Sequence, residues 1–203
     1  NKDAQARAGA EALAAELGGR VFVFPANLAN RDEVKALGQQ AEADLEGVDI
    51  LVNNAGITKD GLAMRMSDED WQSVIDVNLT GVYHTVDVAM RPLIKQGDGG
   101  SIVLTSSVAG LVGIGAPVAG SLGYTVAKHG VVGLMRAYAN FLAAFNIRVN
   151  SIHPAAVNTP MIDNEATRAW LDGLAQQNLG GPDMSNALPV QALEPEDIAN
   201  AAF

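Results

Sequence analysis

Short apolar runs alternate with helix-patterned stretches along almost all of this 203-residue chain. Val21-Phe22-Val23-Phe24, Val48-Asp49-Ile50-Leu51-Val52, Ile102-Val103-Leu104-Thr105 and Arg148-Val149-Asn150-Ser151-Ile152 have the length and β-branched content of buried strands. Residues 4–17, 31–45, 71–95 and 124–145 carry helical patterns between or around them. Strands separated by whole helices cannot be joined by hairpins and must cross over. The expected fold is therefore α/β, a parallel sheet with helices on both faces. The punctuation agrees. Gly18-Gly19 and the Gly97-Asp98-Gly99-Gly100 turn close two helices, and Ser67, followed at the third helical position by Asp70, is a candidate N-cap. No repeat or low-complexity tract interrupts the pattern, so residues 1–203 are read as one domain with one core. Residues 158–190, which mix Pro, Gly, Asn and Met with helical fragments, read as a substrate-covering lid within it. Glu194-Pro195-Glu196-Asp197 opens a last helix.

Composition removes several classes of function. A formal net charge of −10 argues against a nucleic-acid surface, which needs a basic stripe. There are no cysteines, hence no disulfides, thiolate metal sites or cysteine nucleophiles. His84, His129 and His153 lack metal-ligand spacing, and no metal is expected. No apolar run approaches membrane-spanning length and no basic-plus-apolar leader opens the chain, so a cytoplasmic protein without a membrane partner is expected.

Chemistry is suggested by Tyr124 and Lys128, four residues apart at the head of an apolar, helix-patterned stretch. Residues i and i+4 share a helix face, so the amine can lie near the phenol. A cation about 4 Å away would favour the phenolate by about 4 kcal/mol at an effective dielectric near 20. That brings a group of ordinary pKa near 10 toward the range useful for general acid/base catalysis. Tyr-x-x-x-Lys alone is a common accident; its company is not. Asn53-Asn54-Ala55-Gly56 follows one apolar run, Asn78 lies in Val77-Asn78-Leu79-Thr80-Gly81, and Ser106-Ser107 ends another run. Ser107 falls at the carboxyl end of a strand, where open α/β sheets place ligands, and its hydroxyl can donate and accept. Ser106 is read as a serine satisfying its own backbone.

With Ile147-Arg148-Val149-Asn150-Ser151-Ile152-His153-Pro154 and Val157-Asn158-Thr159 added, this ordered set of motifs resembles the short-chain dehydrogenase/reductase family from about residue 20 to the C-terminus. The resemblance implies a Rossmann-like doubly wound sheet and an oxidoreductase that interconverts a secondary alcohol and a ketone with NAD or NADP. It makes Ser107 the catalytic member of its pair and Tyr124 the group that moves the proton. Lys128 would lower the Tyr124 pKa and hold the nicotinamide ribose, and Asn78 would hold a water linked to Lys128. Asn27, Leu28, Asn54, Ala55, Gly56, Tyr124, Lys128, Pro154, Val157 and Thr159 would contact the cofactor. It also implies a homodimer or homotetramer built on residues 71–95 and the apolar helix at 130–145.

The family's glycine-rich phosphate turn, Thr-Gly-x-x-x-Gly-x-Gly, occurs nowhere in the 203 residues. The fold is thus expected to lack its first strand-turn-helix and its last strand in this chain. The segment that sets NAD against NADP would precede Asn1. Other departures are Asn27 where relatives carry Asp, Ala155 for a usual Gly, and a longer glycine-rich loop over 108–123 at the pocket rim. Residues 20–83 resemble bacterial 3-oxoacyl-acyl-carrier-protein reductases. Residues 108–162 resemble actinobacterial carveol-type and mycofactocin-associated dehydrogenases, and that half shapes the substrate pocket.

Rival readings remain at this point. A non-catalytic subunit that keeps the fold would explain the missing phosphate turn, but has no need for Asn78, Ser107, Tyr124 and Lys128 together. A sugar-nucleotide epimerase shares Tyr-x-x-x-Lys but not the Asn-Asn-Ala-Gly signature. His129 and His153 read as structural, Asp68-Glu69-Asp70 as a solvated helix start, and Met161, Trp170 and Met184 as apolar lining beneath the lid or as core.

Overall fold

The structure, a computed structural model, describes residues 2–59, 66–113, 119–161 and 192–202. Three parallel strands form its sheet: β1 (Ile50–Asn53), β2 (Gly100–Thr105) and β3 (Ile147–Ile152), side by side in chain order. The register pairs Leu51 with Ile102 and Ile102 with Val149, placing these three on one face. That face carries the core. Ile102, Leu104, Ile147 and Val149 pack against Val82, Val86 and Leu93 of α4 (Gly81–Gln96) and Val131 and Leu142 of α5 (Ala119–Leu142). Each fully buried aliphatic side chain of this kind contributes about 1.5–3 kcal/mol relative to exposure.

The helices form where local chemistry asks for them. α1 (Lys2–Leu17) ends at Gly18 and Gly19, both in the left-handed region that glycine adopts without strain. For α2 (Arg31–Leu45), the Asn30 side chain caps the N-terminus by accepting from the Asp32 and Glu33 amides. The cap expected at Ser67 is present: its Oγ accepts from Asp70 N at 3.0 Å and starts α3 (Asp68–Ile75). The reciprocal half of a capping box is not made, because the Asp70 carboxylate faces Lys59 at 3.5 Å. A last helix, α6, spans Pro195–Ala202.

Two expectations change. The continuous helix over 71–95 contains a wide turn, Asp76–Thr80, in which Gly81 N–H donates to Asp76 O instead of an oxygen one residue nearer. Such π turns recur at functional sites because they rotate one side chain out of helical phase; here Asn78 is turned inward and fully buried. The buried strand expected at residues 21–24 does not form, and Val21 and Phe22 are exposed. A strand needs a neighbour for its N–H and C=O groups, and among the described residues none lies beside this one. Just before it, Arg20 ties the chain to the end of α2, donating to Asp44 O at 2.6 Å and facing Glu46.

Candidate active site

The carboxyl ends of β1 and β2, the π turn and the first turns of α5 meet at one place. Its centre is the end of β2. Ser106 N–H extends the ladder to Ile152 O at 2.9 Å, and the Ser106 hydroxyl donates to Lys128 O of α5, also at 2.9 Å. Ser106 therefore does not satisfy its own backbone, as its sequence context suggests, but clamps the strand end to the helix. Room for the clamp requires Gly110: a Cβ there would lie 2.3 Å from Ser106 Oγ and 2.7 Å from Lys128 O. The first residues of the expected rim loop, Val108–Gly110, are thus a tight 3₁₀ turn with Ala109 and Gly110 buried, and α5 starts at Ala119, ahead of Tyr124. Residues 114–118 lie outside the described residues.

Ser107 is extended and accepts from Ala109 N at 3.2 Å. Its hydroxyl has an acceptor in Pro154 O, 3.5 Å away, and it lies near enough to the Tyr124 phenol to favour the ionised form. Lys128 follows Tyr124 on the same helix face, with Nζ 5.4 Å from the ring centroid. Only 3% exposed, Lys128 donates from Nζ to Thr105 O at 2.7 Å. The end of β2 therefore holds this lysine twice, through its backbone and its amine. Asn78 completes the group from the π turn. Its amide accepts from Ile57 N at 2.8 Å and donates to Ile57 O at 2.7 Å, fastening the loop that follows β1.

Gly56 lies between Asn78 and Lys128. A methyl at Gly56 would sit 3.2 Å from Asn78 Oδ1 and 3.6 Å from Lys128 Nζ. The missing side chain leaves a small polar space bordered by both. Half of the Asn78 amide is spent on Ile57, so one lone pair and one hydrogen remain for anything in that space. Two further hydroxyls near the group, Thr105 Oγ1 and Thr125 Oγ1, are buried without a partner among the described residues.

Burial changes the electrostatics expected from sequence. It lowers the Lys128 ammonium to about 8, and it holds the Tyr124 phenol above its ordinary value, with the Ser107 hydrogen bond acting in the opposite direction. The expected pull of Lys128 on Tyr124 does not prevail, because desolvation penalises the charged form of both groups.

The remaining expected contacts spread along the same edge of the sheet. Asn54 and Ala55 are exposed just beyond β1, while Asn53 is buried and its amide bonds Thr85 of α4. Val157 forms a parallel bridge with Leu193, and Thr159 Oγ1 reaches Val157 O at 3.4 Å. Pro154 O accepts from Val108 N at 3.0 Å. Asn27 is folded on itself, its Oδ1 accepting from Ala29 N at 3.1 Å and its own N–H donating to Glu33. Leu28 lies against Gly81, and its carbonyl is held by His84 Nδ1 at 3.2 Å, a histidine role that spacing alone does not disclose. Trp170, Met184 and residues 162–190 of the expected lid lie outside the described residues; Met161 is exposed. Among the described residues no His, Asp and Glu group could hold a metal ion, and no helix is long and apolar enough to cross a membrane.

A strand end, a serine–tyrosine–lysine cluster and a buried asparagine in this order define a class. The chain belongs to the short-chain dehydrogenase family, whose model matches residues 1–170. It is 53% identical over 192 residues to an uncharacterized oxidoreductase of Mycobacterium tuberculosis, covering 93% of this chain and 67% of that protein. It is 42% identical over 191 residues to the (−)-trans-carveol dehydrogenase of Rhodococcus erythropolis, covering 91% of this chain and 68% of the relative. Among solved structures it resembles carveol dehydrogenase from Mycobacterium avium in complex with NAD. The TM-score is 0.75 at 36% identity, with 87% of this chain and 64% of that one covered. The chain thus spans about two thirds of the length of these relatives.

Proposed function

We propose that the protein is a nicotinamide-dependent oxidoreductase that interconverts a secondary alcohol and a ketone. One observation carries the reading. Tyr124 and Lys128 share one face of α5 at the end of β2, with the Lys128 amine 5.4 Å from the phenol ring and held at Thr105 O, and the Ser107 hydroxyl favours the ionised phenol. Ser107 donates to the substrate oxygen and orients it. Tyr124 gives that oxygen a proton in reduction and takes it back in oxidation. Lys128, held at Thr105 O, supplies an amine whose charge state changes near neutrality and is therefore sensitive to a bound polar group. Asn78 fixes the β1 loop and borders the polar space at Gly56.

The same space is the fit test for a nicotinamide cofactor. A cradle that a single Cβ would fill, flanked by an amide and an amine, suits a ribose hydroxyl. Asn27, Leu28, Asn54, Ala55, Gly56, Tyr124, Lys128, Pro154, Val157 and Thr159 would hold such a group. When bound, NAD or NADP accepts or supplies the hydride. The carveol dehydrogenases among the relatives favour a cyclic or terpenoid alcohol as substrate. Exposed Leu122, Val126, Phe141 and Phe145 along α5 and its continuation support a homodimer or homotetramer, and the absence of cysteine suits a cytoplasmic setting.

The test is a steady-state screen of the intact protein with both cofactors against carveol, simpler cyclic alcohols and a 3-oxoacyl thioester. Turnover with the cyclic alcohols supports the proposal in full. Turnover with the thioester alone keeps the chemistry and overturns the substrate class. No turnover, with no nicotinamide fluorescence change on titration, leaves the reading without support.

A further inference from the structure

We infer that His153, backed by Ser151, is a positioning residue that sets Ser107. The inference rests on the catalytic reading of Ser107 above. The β2–β3 ladder continues past its last pair, Thr105 with Ile152, into the loops: Ser106 N–H donates to Ile152 O and Val108 N–H to Pro154 O. In a parallel ladder the donor between these two rungs would be the N–H of residue 154. That residue is a proline and has none. The sheet is therefore missing a stitch next to Ser107.

The imidazole of His153 supplies another. Its Nδ1 lies 3.1 Å from Ser107 O and its Nε2 lies 2.8 Å from Ser151 Oγ. A carbonyl oxygen only accepts, so Nδ1 carries the hydrogen. Nε2 of the neutral ring is then an acceptor, and the Ser151 hydroxyl donates to it. Each polar atom of the ring has one assignment, and the two serines fix the ring plane between them. Ser107 O accepts in addition from Gly110 N at 2.9 Å, which closes the 3₁₀ turn behind it. The Ser107 main chain is thus pinned from β3 and from its own turn. Its hydroxyl is left to serve Tyr124 and, in catalysis, the substrate. His153 touches neither and works only through the Ser107 backbone.

The account separates from one in which His153 merely fills space. Asn places an N–H where Nδ1 stands; Gln places one where Nε2 stands. His153→Asn should therefore keep kcat within about threefold of wild type, whereas His153→Gln and His153→Leu should lower kcat by about tenfold. Cofactor KM should change less than about twofold in all three. Equal losses for Asn and Gln overturn the inference. A second readout needs no turnover: proton–nitrogen correlation spectra of the histidine rings report which nitrogen is protonated. The Nδ1–H form is expected for His153, with its resonance identified by its loss in His153→Asn. The Nε2–H form overturns the latch whether or not the enzyme is active. An inactive wild type with the Nδ1–H form instead keeps the latch and sinks the oxidoreductase reading.

Discussion

β1 and β2 are built from equally apolar runs, Ile50-Leu51-Val52 and Ile102-Val103-Leu104, and meet very different fates. In β2 all three side chains are buried, because strands flank it on both sides and α4 and α5 cover its core face. In β1, Ile50 and Val52 are 58% and 50% exposed, and only Leu51 packs against the core. An apolar run thus only proposes a strand; neighbours decide both its pairing and its burial. The candidate site follows the same division. Its proton-handling residues collect at the end of the enclosed strand, where Ser106 N–H donates to Ile152 O, the His153 ring meets Ser107 O and the Ser106 hydroxyl reaches α5. Asn54 and Ala55, beyond the open strand, stand exposed.

Substitutions sharpen that contrast. Leu104→Ala should cost about 2–5 kcal/mol in urea unfolding, whereas Val52→Ala should cost less than about 1 kcal/mol. Comparable losses would mean that the edge of β1 is covered in solution. Lys128→Met addresses the cost of the enclosed site. Lys128 binds its proton less tightly when folded, about 8 against 10.5. Between these values the unfolded chain holds more protons, so wild-type stability rises with pH across that window. Relative to Lys128→Met, the rise should total about 3 kcal/mol from pH 8 to 10.5. A flat difference between the two proteins would show that the amine is not desolvated. The smallest effect separates two glycines of one loop. Gly110→Ala must displace Ser106 Oγ or the Lys128 carbonyl and should cost about 1–3 kcal/mol. At Gly113 a Cβ meets nothing within 4 Å among the described residues, and Gly113→Ala should be within about 0.5 kcal/mol of neutral.

The comparison also shows what could be read in advance. The start of α3 was legible from Ser67 and the acidic residues after it, because capping is local chemistry. So was the shared face of Tyr124 and Lys128, which follows from helix geometry. The Ser106 clamp was not, since its acceptor lies 22 residues away and nothing in the Ser-Ser pair says which hydroxyl reaches α5. The π turn was hidden because Asp76–Thr80 has an ordinary helical pattern and the shift comes from packing. A close approach there is visible only in three dimensions: a Cβ at Gly130 would meet the Leu79 side chain at 2.8 Å. The direction expected for the Tyr124 pKa is reversed for the same reason. Spacing supplies the distance between Tyr124 and Lys128, but only the folded core supplies the desolvation that outweighs it.

The proton-transfer role of Tyr124 is tested most directly by the pH dependence of kcat for alcohol oxidation and ketone reduction, with Tyr124→Phe beside wild type. Oxidation should rise and reduction fall over one alkaline range, since a buried phenol must be ionised to take a proton and neutral to give one. Tyr124→Phe should lose at least about a hundredfold in both directions while binding cofactor as wild type does. Near-native turnover in that variant, with the pH profiles unchanged, would contradict the account.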